Sequence, residues 1–145
     1  MHRLFTLLAL SCTLAAGQTG APPHAAGPGY QALVADAKTR IKEMDVAQLK
    51  ALQSSGAAFT LIDVREDNEW NDEHAKGAVH IGKGVIERDI ESRVPQKDAK
   101  LVLYCRAGSR SALAADALLK MGYSNVFSLA GGITAYKAAG LPLEK

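Results

Sequence analysis

The stretch LVLYCRAGSRSALAADALLKMG, residues 101–122, decides the architecture. Its first four residues are uninterrupted apolar, too short for a helix and without the alternation of a half-exposed strand. Such a run reads as a strand buried on both faces, the pattern of a parallel sheet covered by helices. A helix follows. Leu113, Ala114, Ala117, Leu118 and Met121 make its apolar stripe, Ser109 or Ser111 is a candidate N-cap, and Gly122 suits its C′ stop. Between strand and helix lies one cysteine, Cys105, followed by Arg106, Ala107, Gly108, Ser109 and Arg110. In α/β folds ligands gather where strands end.

That company is wrong for a packing cysteine. A free cysteine commonly serves as a small buried hydrophobe, but glycine and two arginines are poor core residues. Gly108 lets the backbone turn and approach a ligand closely. Main-chain N–H groups in such a loop can face inward as an anion-binding nest at a helix N-terminus. Together with Arg106 and Arg110 they should pull a thiol below its usual value of about 8.5. The resulting thiolate is a nucleophile that needs no separate base. No histidine adjoins Cys105 in sequence, so His74 or His80 could reach it only through the fold.

Alternation continues on either side. Residues 30–43 read as a helix with Leu33, Val34, Ala37 and Ile41 on one face. Asp45 caps a second helix that Gly56 ends. FTLIDV (59–64), AVHI (78–81) and NVFSL (125–129) are short strands. EDNEWNDEHAKG starts helical and turns, GVIERDIESRVP is a helix stopped near Pro95, and GGITAYKAAGLP is a last helix ended by Gly140. Four apolar runs alternating with helices predict an α/β fold with a parallel sheet and helices on both faces. Asp63, like Cys105, stands at a strand end.

Composition narrows the function. A chain of 145 residues supports one domain. The net charge is +2 with scattered basic residues and few aromatics, which argues against nucleic acid as a partner. Two cysteines, Cys12 and Cys105, exclude a cysteine-rich metal site and a disulfide framework. The histidines show no metal-binding spacing, so no metal is expected.

The N-terminus, MHRLFTLLALSCTLAAG, has a short basic start, an apolar run and small residues near Gly17. It reads as an export signal over residues 1–17 and is shorter than the ~20 residues of a membrane span. The alternative is lipidation at Cys12, for which the leucine of Ala9-Leu10-Ser11 is out of register. The expected location is therefore the periplasm, or the cell envelope through a lipid anchor. Residues 18–29 are rich in Gly, Pro and Ala and read as a flexible linker. The folded domain is expected over 30–145.

From about residue 45 to 143 the chain resembles a single-domain rhodanese, a thiosulfate sulfurtransferase. LIDVREDNEW (61–70) resembles the family's Asp-Val-Arg-x-x-x-Glu-aromatic signature, and HAKGAVHI (74–81) its His-Ile-x-Gly-Ala motif. YCRAGSRSALAADALLKMGYSNVFSLAGGITAYKAAGLP is similar to its active-site loop, helix and Gly-Gly-x-x-x-aromatic…Gly-Leu-Pro ending. Ala75, Glu73 and Tyr136 depart from the usual isoleucine, glycine and tryptophan.

The resemblance implies double displacement. Cys105 takes sulfur from a small anionic donor such as thiosulfate, holds it as a persulfide with no other cofactor, and passes it to a thiophilic acceptor. It implies that residues Arg106 to Arg110 bind substrate, the arginines taking the anion. Asp63, Arg65 and Glu69 are then a structural network near the site, and His74 a turn residue rather than a base. Two rivals stand beside this reading. A phosphatase or arsenate reductase needs Cys-x5-Arg, whereas Arg110 makes Cys-x4-Arg with Ser111 at the longer spacing. A non-catalytic binding module on the same fold would usually lack the cysteine.

Overall fold

The structure, a computed structural model, describes residues 25–145. The export segment and Cys12 lie outside the described residues. Five strands form one parallel sheet: β1 (Lys42–Met44), β2 (Thr60–Asp63), β4 (Val79–His80), β5 (Leu101–Tyr104) and β6 (Val126–Leu129). Their spatial order is β1-β6-β5-β2-β4. Two short strands, β3 (His74–Ala75) and β7 (Leu143–Glu144), pair antiparallel beside it. The helices are α1 (Pro28–Lys38), α2 (Val46–Ser55), α3 (Asp67–Asp72), α4 (Ile86–Arg93), α5 (Ser109–Lys120) and α6 (Gly132–Ala138). No helix of the described residues is long and apolar enough to cross a membrane.

β5 lies at the centre and explains its own apolar run. Leu101, Leu103 and Cys105 face one layer, with Ile86 and Ile90 of α4 and Ala114, Ala115 and Leu118 of α5. Val102 and Tyr104 face the other, with Leu49 of α2 and Ile133 and Tyr136 of α6. Both faces are buried, so no polar residue interrupts the strand.

The expected helix over 30–43 divides. α1 starts at Pro28, inside the expected linker, and ends at Lys38. Thr39 caps it and the chain turns, drawn by Arg40, whose Nε lies 2.8 Å from Asp116 Oδ1 on α5. Residues 42–44 then join the sheet edge as β1, beside Phe127 to Leu129. Only Met44 of this strand is buried, so Lys-Glu-Met carries no strand signal of its own. Val34 and Ala37 are buried as expected, but Leu33 is 61% exposed. The second helix behaves as read. Asp45 accepts from Gln48 N at 2.7 Å, Gln48 returns the bond, and Gly56 ends the helix at φ +71°.

The start of α5 differs as well. Neither Ser109 nor Ser111 caps it; Gly108 does, at φ +104°, a conformation that side chains disfavour. Ser111 Oγ is thereby freed to face the loop.

Candidate active site

β5 ends at Tyr104, and Cys105 follows with its side chain in the helix-covered layer, 2% exposed. Residues 105–110 curl over its sulfur and run into α5. Gly108 N–H donates to Cys105 Sγ at 3.1 Å, and the Ser111 hydroxyl lies 3.7 Å from it. Burial pushes the thiol up. Hydrogen bonds from Ser111, through its N–H and hydroxyl, and from the N–H groups of Gly108 and Ala107 outweigh it, and the thiol is held below its ordinary value. Main-chain donors of the loop thus lead in holding the thiol down, and neither loop arginine is among the leading causes.

Ser111, read only as a possible cap, belongs to the site. Its hydroxyl also meets Gly108 O at 3.2 Å and Ser128 Oγ at 2.8 Å. With Ser128 donating to it, the single Ser111 proton is available to Gly108 O or to the sulfur. Ionised sulfur is the stronger acceptor. Ser111→Ala is expected to raise the Cys105 thiol value. Its alkylation by iodoacetamide at neutral pH should slow about threefold, the effect of one long hydrogen bond to a charge. The rate against pH checks this; an unmoved profile removes Ser111 from the site.

The two loop arginines separate. Arg110 makes a two-handed ion pair with Glu69, at 2.6 and 2.9 Å, with Glu66 Oε1 at 3.6 Å. This pair raises the Arg110 value and lowers that of Glu69. Glu69 Oε2 also accepts from Glu66 N–H at 3.2 Å, so one carboxylate ties the start of α3 to the loop. Arg106 is exposed and makes no ion pair among the described residues. It lines a cavity of about 420 Å³ with Glu69, Thr134 and Lys137.

Asp63, Arg65 and Glu69 share charge but not hydrogen bonds: Glu69 bonds the loop and Asp63 bonds Arg65. Asp63 is fully buried and takes Arg65 N–H at 2.9 Å, Nε at 3.0 Å and Nη2 at 2.6 Å. Arg65 Nη2 also donates to Glu73 O at 2.7 Å. This pair fixes the chain leaving β2, while Glu69 serves the cysteine loop. His74 is stacked on Trp70 with ring centroids 3.4 Å apart, and its Nδ1 bonds Trp70 O at 3.0 Å. His80 stacks near Trp70 at 5.0 Å and bonds Arg65 O at 2.9 Å. Both rings are occupied away from the sulfur.

A second support was invisible as such in the sequence. The N-terminus of α6 clasps the loop from behind. Ile133 N–H donates to Cys105 O at 2.8 Å, and Thr134 gives Arg106 O its N–H at 3.2 Å and its hydroxyl at 2.9 Å. The Arg106 carbonyl is thus held by α6, and the N–H that follows it, of Ala107, is among those that lower the thiol. Gly132 permits the approach: a Cβ there, at φ +55°, would lie 2.4 Å from Cys105 O. The Gly-Gly pair was the only signal for it.

Comparison with known proteins agrees with this geometry. The rhodanese-like domain family matches residues 45–139. The probable adenylyltransferase/sulfurtransferase MoeZ of Mycobacterium tuberculosis is 41% identical over 90 residues, 61% of this chain but only 23% of MoeZ, so the chain spans about a quarter of that relative. The thiosulfate sulfurtransferase PspE of Escherichia coli is 38% identical over 77 residues, 53% of this chain and 73% of PspE. Among solved structures, the Rhodopseudomonas palustris protein RPA3614, described as a possible tyrosine phosphatase, superposes with a TM-score of 0.72 at 32% identity. It covers 86% of this chain and all of RPA3614. The matched span contains the cysteine loop, the Asp63–Arg65 pair and the clasp of α6 together, and on that ground this protein belongs to the rhodanese-like family, among relatives that are named sulfurtransferases.

Proposed function

We propose that the protein moves sulfane sulfur from a small anionic donor, thiosulfate or a relative of it, to a nucleophilic acceptor through a Cys105 persulfide. One observation carries this reading: a buried sulfur ringed by inward N–H donors and a hydroxyl, with its thiol held low in spite of burial. Such a ring suits a charged sulfur and needs no proton acceptor beside it.

In the first step the Cys105 thiolate attacks the outer sulfur of thiosulfate. The S–S bond of thiosulfate breaks, its electron pair leaves on sulfite, and a Cys105 persulfide remains. The N–H groups of Ala107, Gly108 and Ser111 hold its negative end. In the second step the acceptor attacks the outer persulfide sulfur, and the electron pair returns to Cys105. Arg106, the loop arginine without an ion pair among the described residues, recruits the donor anion; Arg110 holds the loop through Glu69. Phosphate-ester chemistry is disfavoured too, since it needs a free guanidinium one residue further on, where Ser111 stands, and Arg110 is engaged by Glu69.

The purified chain should release thiocyanate from thiosulfate and cyanide. Intact mass after thiosulfate alone should rise by one sulfur atom, and cyanide should remove it. Absence of both turnover and the added sulfur defeats the proposal.

A further inference from the structure

α1 lies before the span matched by the family, yet it packs on α5 next to the cysteine loop. Arg40 ties its C-terminal end to Asp116, which Arg40 and Lys120 hold down at about 2. At the other end of α1, Tyr30 faces the loop. Tyr30, Val34, Ala35, Lys38 and Ser109, with Ala26 and Gln31, line an open cavity of about 280 Å³. That is nearly twice the roughly 150 Å³ that holds a benzene ring in a protein interior.

Three properties limit the occupant. First, the cavity opens beside the sulfur-binding loop, because Ser109 is a member of both. Tyr30 and Ser109 line it together, so the phenol stands beside the loop that covers the sulfur. Second, its amide and its cation are already engaged, which leaves the Tyr30 and Ser109 hydroxyls: Gln31 Nε2 donates to Ala26 O at 2.7 Å, and Lys38 pairs with Glu43 at 2.8 Å. No uncommitted cation is left for an anionic donor. Third, it shares no residue with the charged cavity beside Arg106. The two cavities therefore differ in chemistry as the two substrates of a double displacement differ.

We propose that the cavity between α1 and Ser109 is the acceptor subsite, and that it selects a thiol with an apolar body. The inference rests on the sulfurtransferase reading above and names the acceptor for it. The acceptor's thiolate attacks the outer sulfur of the Cys105 persulfide. The new S–S bond forms on the acceptor, the old one breaks, and its electron pair returns to Cys105. The carbon body lies along Tyr30, Val34 and Ala35, displacing water from apolar walls. Tyr30 is a specificity-determining residue here, and its hydroxyl, free of other bonds among the described residues, stands where the acceptor sulfur passes.

The experiment compares benzyl mercaptan with cyanide as acceptor, thiosulfate being the donor throughout, in the full-length chain. Tyr30→Ala removes the wall, and Ala35→Trp fills the cavity from an exposed position without touching the core. Each should lower the kcat/KM ratio of benzyl mercaptan to cyanide about tenfold, through KM for the thiol. A ratio within twofold of wild type in both variants, or an equal loss for both acceptors, overturns the subsite while leaving the sulfurtransferase reading intact. A wild-type chain that uses neither acceptor defeats that reading and the subsite with it.

Discussion

Cys105→Ser is expected to abolish sulfur transfer, by at least about 10⁴-fold, while the domain stays folded. A serine oxygen keeps the place at the end of β5 and can accept the Gly108 N–H. It does not ionise near neutral pH and cannot carry a sulfane sulfur. The variant should therefore release no thiocyanate and gain no sulfur on exposure to thiosulfate. Its stability should fall by only about 1–2 kcal/mol, since the added polarity meets donors already in place. Circular dichroism and a thermal melt distinguish this from unfolding. Residual turnover above a hundredth of wild type would move the chemistry to another residue.

Gly132→Ala should have the next largest effect although Gly132 touches no substrate. The new methyl would sit 2.4 Å from Cys105 O and 2.7 Å from Arg106 C and O. Either α6 backs away and the bonds from Ile133 and Thr134 break, or the loop shifts. In both cases the N–H groups lose their aim at the sulfur. Displacement of reacting groups by about 1 Å costs on the order of 100-fold, and that loss is expected in kcat/KM. Gly77→Ala is the comparison. Gly77 also has a positive φ, +77°, but nothing within 4 Å would meet its Cβ. It should cost about 1–2 kcal/mol of stability and leave turnover unchanged. Equal activity in the Gly132 and Gly77 variants would show that the clasp does not position the loop.

Much of the site was legible because its signals are local. The apolar run 101–104, Cys105, and the glycine before a helix are neighbours in sequence, and their roles follow from strand, turn and helix geometry. The Asp45 cap and the Gly56 stop were legible for the same reason. β1 was not, because Lys42-Glu43-Met44 becomes a strand only through the edge that β6 presents. The extent of α1 was hidden as well, since its end depends on Asp116, 76 residues from Arg40.

The partnership of charges shows the boundary most clearly. Asp63 and Arg65 are two residues apart, and their pairing was within reach of sequence reading. Glu69 and Arg110 are 41 residues apart, and their pairing was not. Sequence by itself determined that a parallel α/β sheet delivers a cysteine into a glycine-containing turn before a helix, because backbone geometry and hydrophobic periodicity act over a few residues. Tertiary structure alone decided which of the two loop arginines lacks an ion pair among the described residues, that Ser111 and α6 shape the loop, and that α1 walls a cavity beside it. Those outcomes depend on which side chains arrive from distant elements, and ion pairs and hydrogen bonds act only at distances that folding creates.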